Sequence, residues 1–401
     1  MIKQIRTEQL KPGMYIHDLN CGWLDHPFVS NAFFVKDEAT VDKIANLGIR
    51  ELYIDTVKGA DVWAAPTQSE VNADLERRLQ EIAQKRAEKP VATELKDEAA
   101  RARRLHGEAN KMARLVLDDV RFGQKVQVER LEPLVDSMVE SVFRHQDALL
   151  PMARLKNLDD YTFEHSVSVS TLLIAFGRTL KLPKETIKEI ALGGLLHDIG
   201  KAHVPDAILN KPAKLTDDEF AKMKSHVAES LRLLEDVPGI SEATRQVVAE
   251  HHERFDGSGY PNRLPGSSIS LYGQMAAIVD VYDAITSDKV YNRGMPPTQA
   301  LKKLLEWSKH HFDPQLVQTF IRAIGIYPTG TLVRLESNRM GVVVEQNEGN
   351  LLQPMVRIFY HAAQQHYIPP EIVDLSKVQD KVASFENYDK WKIDPYQWLP
   401  A

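Results

Sequence analysis

The chain has a single cysteine, Cys21, among 401 residues, which excludes a disulfide framework and a thiolate zinc cluster. It has no apolar run approaching the roughly 20 residues that span a bilayer. Its first residues, Met1-Ile2-Lys3-Gln4-Ile5-Arg6, lack the continuous apolar stretch of a secretory signal. It also lacks an excess of positive charge. The net charge of -6 argues against a general nucleic-acid coat while leaving room for a local basic pocket. No internal repeat or low-complexity tract is present. These absences point to a reducing, cytoplasmic setting, without membrane insertion and without a polymeric nucleic-acid partner.

What remains is an ordinary globular composition, 43% hydrophobic and 26% charged, long enough for two or three domains. Residues 1–65 read as a small α+β domain. Gly13 to Ile16, Phe33 to Val35 and Glu51 to Ile54 have strand character, and Ala39 to Leu47 forms a short helix ending at Gly48. No clustered chemistry occurs there, so regulation or docking is expected of it. Residues 66–154 read as a charged helical linker. Its first half mixes charges of both signs around Pro90, the composition of an exposed helix or partly mobile segment. Its second half carries Leu131, Leu134, Met138, Val142 and Leu149 as a stripe for packing against the next domain or a second subunit.

Residues 155–326 repeat helix after helix. Thr216 with Glu219 fits a capping box opening a helix through Glu235, and Asp313-Pro314 fits an N-cap followed by proline. Residues 327–401 read as a β-rich extension, with strands at 331–335, 341–344 and 355–358. The fold class expected is mainly α.

The chemistry lies in the helical region. His165, His197, Asp198, His226, His251, His252 and Asp280 are five imidazoles and two carboxylates on neighbouring helices. Singly, His165 and His226 are better read as structural. His197-Asp198, His251-His252 and Asp280 each interrupt an apolar helix, where burial of a charged group without a partner costs several kcal/mol. Together the seven suit two divalent cations, with Asp198 or Asp280 able to bridge them. Imidazole with carboxylate favours iron, manganese, nickel or zinc, and a two-metal site supports in-line displacement at phosphorus. A phosphohydrolase follows. The loop Gly257-Ser258-Gly259-Tyr260-Pro261 reads as the mouth of the pocket, with Tyr260 offering a stacking face to a base.

His197-Asp198-Ile199-Gly200-Lys201, His251-His252-Glu253, Asp256-Gly257-Ser258-Gly259-Tyr260-Pro261 and Asp280-Val281-Tyr282-Asp283-Ala284 resemble the HD-GYP subgroup of the HD phosphohydrolase superfamily, over roughly residues 155 to 325. Leu10-Lys11-Pro12-Gly13-Met14-Tyr15 and Trp23 resemble the small domain of unassigned function that often precedes it. The resemblance implies an all-helical HD-type domain that hydrolyses cyclic di-GMP to pGpG, GMP or both. It implies that the seven residues are metal ligands, with Asp198 bridging, and that Lys201 contacts the scissile phosphate. Iron or manganese leads among the metals, with nickel or zinc as alternatives.

Two departures from the family pattern stand out. Tyr161 occupies the place of a glutamate that holds a third metal in some members, so a dinuclear centre is expected. An Arg-Pro-Tyr-Arg-like run is replaced by Lys289-Val290-Tyr291-Asn292-Arg293, and lysine lacks the planar fork that binds phosphate bidentately. Substrate contacts are therefore expected from Lys201, Asp256, Gly259, Tyr260, Pro261, Lys289 and Arg293.

The mechanism expected is attack on phosphorus by a hydroxide activated between the two metals. Asp256, His203 or metal-bound water would give the leaving oxygen its proton. Two other readings stay open: hydrolysis of another nucleotide, and a weakly catalytic module that binds the dinucleotide or docks a diguanylate cyclase or other signalling protein. A homodimer is compatible with the apolar stripe.

Overall fold

The computed structural model describes residues 1–22, 26, 28, 30–84, 93–154, 161–211, 213–288, 294–347 and 349–399. In chain order these form β1 (Ile2–Arg6), β2 (Tyr15–Asp18), β3 (Phe33–Phe34), α1 (Glu38–Ala45), β4 (Glu51–Asp55), α2 (Gln68–Ala83), α3 (Leu95–Arg121), α4 (Val128–Leu149), α5 (Tyr161–Thr179) and α6 (Lys184–Leu196). A short 3-10 turn, Ile199–His203, precedes α7 (Asp206–Leu209), α8 (Asp217–Lys224), α9 (His226–Leu234), α10 (Glu242–Glu250) and α11 (Leu271–Thr286). Then come α12 (Pro297–Trp307), α13 (Pro314–Ile324), β5 (Leu332–Leu335), β6 (Arg339–Glu345), β7 (Met355–His361), β8 (His366–Asp374) and β9 (Val382–Phe385). The protein is mainly α, with small antiparallel sheets towards its two ends. Among the described residues no helix is long and apolar enough to cross a membrane.

The chain divides into two compact units. One joins Met1–Arg78 to Val204–Lys224, and the other joins Leu79–His203 to Ser225–Ala401. In the first, an antiparallel sheet of order β1-β4-β2-β3 encloses Ile5, Ile16, Val35, Ile44, Leu52 and Ile54. The sequence reading did not anticipate β1. Its alternation is masked by Lys3, which is buried because its ammonium pairs with Asp61 at 2.9 Å and reaches the Val62 carbonyl at 3.2 Å.

In the second unit α5 and α6 form the centre. Gly193 and Gly194 set how closely α6 approaches its neighbours. A Cβ at Gly194 would stand 2.8 Å from the Ser170 Cα on α5, and one at Gly193 would stand 2.7 Å from the Val247 Cβ on α10. The Ser170 hydroxyl donates to the Ala191 carbonyl at 2.8 Å, which ties α5 to α6 at that point. Helices α3 and α4 pack on the same centre. The charges of α3 are therefore not all on a solvated face. Glu98 is fully buried, and its carboxylate accepts from Arg144 Nε and Nη2 and the Ser141 hydroxyl, each at 2.8 Å.

The capping box forms as expected, with Thr216 N donating to Glu219 at 2.7 Å and Glu219 N donating to the Thr216 hydroxyl at 3.2 Å. The helix does not run on to Glu235, however. It breaks at Ser225, where the chain passes from one compact unit to the other. Asp313 caps α13 through Gln315 N and Leu316 N, both at 2.8 Å, with Pro314 at the first helical position. The C-terminal sheet has the order β8-β7-β6-β5-β9. The edge strand β8, unlisted by the sequence reading along with β9, is mostly exposed and carries Pro369 and Pro370, residues that suppress strand propensity.

Gly194→Ala should destabilise the protein by about 1–3 kcal/mol, because the new methyl meets backbone that cannot move away. Urea unfolding of the variant checks this.

Candidate metal centre

Five elements of the second unit deliver the seven residues. His165 lies in the early turns of α5, His197 caps the C-terminus of α6, and Asp198 follows it. His226 opens α9, His251 and His252 follow the last residue of α10, and Asp280 lies in α11. At the end of α10 His251 keeps helical backbone angles and the chain tightens, Glu253 N donating to the Glu250 carbonyl at 2.8 Å, so that the two adjacent rings lie 4.1 Å apart at one locus. The ligand atoms gather into two groups, Asp198, His226, His251 and His252 in one and His165, His197 and Asp280 in the other. Within each group these atoms lie within 4.8 Å of one another.

The carboxylates span the two groups. Asp198 Oδ1 lies 3.2 Å from His226 Nε2 and 3.9 Å from His251 Nε2, while its Oδ2 lies 3.3 Å from His197 Nε2 and 3.7 Å from His165 Nε2. Asp280 does the same, with Oδ1 2.9 Å from His165 Nε2 and Oδ2 3.6 Å from His252 Nδ1. The Lys201 ammonium sits 2.5 Å from Asp198 Oδ2.

Backbone and side-chain partners fix the imidazoles from behind. His197 Nδ1 is 2.8 Å from the Gly194 carbonyl and His251 Nδ1 is 2.9 Å from the Val248 carbonyl. Both carry a proton on Nδ1 for that carbonyl, which turns Nε2 inward. His165 Nδ1 is held by Asp283 Oδ2 at 2.5 Å.

The result is a concentration of inward-facing ring nitrogens and carboxylate oxygens. His226 Nε2 and His251 Nε2 stand 3.4 Å apart. His197 Nε2 and Asp198 Oδ1 are buried with no hydrogen bond of ordinary geometry. Such groups are costly without a partner, and this donor set fits divalent cations.

The electrostatics agree. Burial pushes the Asp198 carboxyl up, but His197, Lys201 and His226 overcome it and hold it well below the usual carboxylate range. Burial likewise opposes ionisation of Asp280, and His165, His252 and His197 outweigh it. Burial and the neighbouring imidazoles push His251 down to about 3, and the same causes hold His252 well below its ordinary value. Both are neutral at physiological pH, the form that ligates metal. His165 differs, since burial lowers it but Asp280 and Asp283 raise it further.

The Gly-Tyr-Pro loop folds back on the histidine pair. Tyr260 N donates to the His252 carbonyl at 3.1 Å, and the two rings lie 4.6 Å apart at 30°. Gly259 permits this return, because a Cβ there would meet Arg254 N at 2.3 Å. Pro261 is exposed at the tip, after a cis bond from Tyr260. The Asp256 carboxylate accepts from Ser258 N and Oγ at 3.1 and 2.6 Å, a local turn. His203 pairs with Glu229 at 3.1 Å. Lys289 and Arg293, with the rest of the run between them, lie outside the described residues, as does Trp23.

Three positioning groups escaped the sequence reading. Asp283 orients His165, and its signal was the i,i+3 spacing from Asp280. The buried Glu253 accepts from Asn262 N at 2.8 Å and Leu264 N at 2.9 Å, and so pins the loop beyond Pro261. Ser230 takes Gly200 N at 2.8 Å and donates to the His197 carbonyl at 3.0 Å. It locks the 3-10 turn to α9, where a Cβ at Gly200 would stand 2.1 Å from the His226 carbonyl.

An HD domain matches residues 136–316 and a domain of unknown function (DUF3391) matches residues 2–131. A cyclic di-GMP phosphodiesterase of Pseudomonas aeruginosa is 41% identical over 396 residues, covering 98% of this chain and 94% of its own. A cyclic di-GMP phosphodiesterase of Vibrio cholerae is 42% identical over 132 residues, which are 31% of this chain and 27% of that protein. A 3'3'-cGAMP-specific phosphodiesterase of the same organism is 39% identical over 127 residues, 31% of this chain and 24% of its own.

Fold and cluster together define a metal-dependent phosphohydrolase of the HD type. The chain belongs to the HD-GYP family of HD-domain enzymes, in the form that carries a DUF3391 domain ahead of the HD domain.

Asp283→Asn should weaken Mn(II) binding roughly 10–100-fold, the usual cost of losing a partner behind a ligating histidine. Calorimetric titration with Mn(II) measures it, and an unchanged affinity would remove Asp283 from the site.

Proposed function

We propose that the chain hydrolyses cyclic di-GMP to pGpG, GMP or both, in the cytoplasm, using two divalent ions. The observation that carries this reading is the pair of ligand groups spanned by the two oxygens of Asp198 and of Asp280. His165, His197 and Asp280 would hold one ion and His226, His251 and His252 the other, with Asp198 shared. Iron or manganese leads among the candidates, with nickel or zinc as alternatives. Bound ions of this kind activate water and neutralise charge on phosphoryl oxygens.

The chain's own residues complete the reaction. Lys201, beside Asp198, offers its ammonium to a non-bridging phosphate oxygen, where preorganised charge stabilises the transition state most. Tyr260, fixed over His252, presents a ring for a guanine base, and Gly259 and Pro261 shape the loop that carries it. Lys289 and Arg293 are the further proposed contacts to the substrate phosphates. Asp256 and His203 are each engaged locally, which favours solvent as the proton source for the leaving oxygen. A second reading, turnover of the related 3'3'-cGAMP, draws support from the Vibrio relative.

The test is hydrolysis by protein reconstituted anaerobically with Fe(II) or Mn(II), with products separated over time and both cyclic dinucleotides offered. Asp198→Ala should abolish turnover, and retained activity would refute the assignment. Lys201→Ala should lower kcat by about 10²–10³ while metal content stays normal. Loss of metal as well would make Lys201 structural.

A further inference from the structure

The first compact unit is discontinuous. It takes in residues 204–224, a stretch that lies between Lys201 and His226 in the sequence. Neither α7 nor α8 contains a buried residue, so this stretch has little core of its own. Within itself it is tied by the Thr216–Glu219 capping box and by Lys211, whose ammonium meets Glu219 at 2.5 Å. These bonds tie Lys211 and Thr216 to the first turn of α8.

Its tie to the N-terminal domain is specific. His26 is buried, and its Nε2 lies 2.5 Å from Asn31 Oδ1. An Asn oxygen only accepts, so this contact is made with a proton on Nε2. Lys214 Nζ lies 2.8 Å from His26 Nδ1 and 2.9 Å from its Nε2, against the ring, and donates to the His26 carbonyl at 3.2 Å. A buried imidazole and a main-chain oxygen thus converge on one ammonium.

Both ends of the stretch run directly into the metal centre. On one side Val204 follows the 3-10 turn that carries Lys201. On the other, Ser225 precedes His226. The turn and α9 are locked together by Ser230 and by the close approach at Gly200, so a shift entering at either end reaches both residues.

We infer that residues 204–224 are the output element of the N-terminal domain: by holding Lys214, the domain sets the placement of Lys201 and His226, and a ligand or protein that engages the domain acts on the metal centre through this stretch. Lys214 is then a positioning residue. This rests on the reading of the metal centre given above, and linkage requires the coupling to run both ways.

Hydrogen exchange on the full chain, with and without Mn(II), tests the coupling without any substrate. In the wild type Mn(II) should slow exchange by about threefold or more in residues 204–224 and in β1 to β4, besides α5, α10 and α11. Lys214→Met should abolish the slowing in β1 to β4 while leaving that at α5, α10 and α11, and Lys214→Arg should restore it. Slowing confined to the ligand helices in the wild type would overturn the inference, and so would full slowing in Lys214→Met. If Mn(II) protects nothing at α5, α10 or α11, the metal-centre reading fails and this inference falls with it. Cyclic di-GMP turnover by the wild type, measured separately, tells which of the two has failed.

Discussion

The site depends on how close three helices can come. With hydrogen in place of a side chain at Gly193 and Gly194, α6 touches α5 on one side and α10 on the other. That contact brings His197 to His165, with ring centroids 5.1 Å apart, and to His251, at 4.8 Å. A single methyl on either glycine would push apart the helices that carry these rings. Gly200, Gly259 and Gly273 repeat the device where the 3-10 turn meets α9, where the loop meets the histidine pair and where α11 meets α10. Backbone proximity comes first here, and the imidazole cluster is its consequence.

Such a cluster would be expensive if its polar groups were loosely held. Instead the outer nitrogens of His165, His197 and His251 are each committed to an acceptor, two of them to main-chain carbonyls on their own helices. The direction of the inner nitrogens therefore follows from helix geometry, and little conformational entropy remains to be lost when a ligand arrives. Asp198 and Asp280 stay ionised despite burial because positive or hydrogen-bonding neighbours surround them. The preorganisation that phosphoryl transfer needs is a property of the folded chain itself.

Much of this was legible in the sequence. Polar residues that interrupt apolar helices, as at His197-Asp198 and Asp280, pointed to a common locus, and all seven candidates lie together in the structure. The capping signals at Thr216 and Asp313 were also readable, being local chemistry. What escaped depends on distant packing. Lys3 looks like a surface residue until Asp61 covers it. Glu98 looks solvated until Arg144 and Ser141 reach it from another helix. Asp283, Glu253 and Ser230 act through partners between 9 and 118 residues away, and no periodicity records such pairings. The break at Ser225 is of the same kind, because it marks a change of packing partner rather than a weak helix former.

The adjacent prolines of β8 bear on how this molecule meets its own kind. Successive residues of a strand aim their amide groups to opposite sides, so Pro369 and Pro370 delete one donor towards β7 and one towards the outside. The inner loss coincides with the shift of register between Ile358 and Tyr360. The outer one leaves a gap in the row of donors that a foreign strand would need. An exposed nine-residue edge is otherwise a template for sheet-to-sheet pairing, and the two prolines interrupt it.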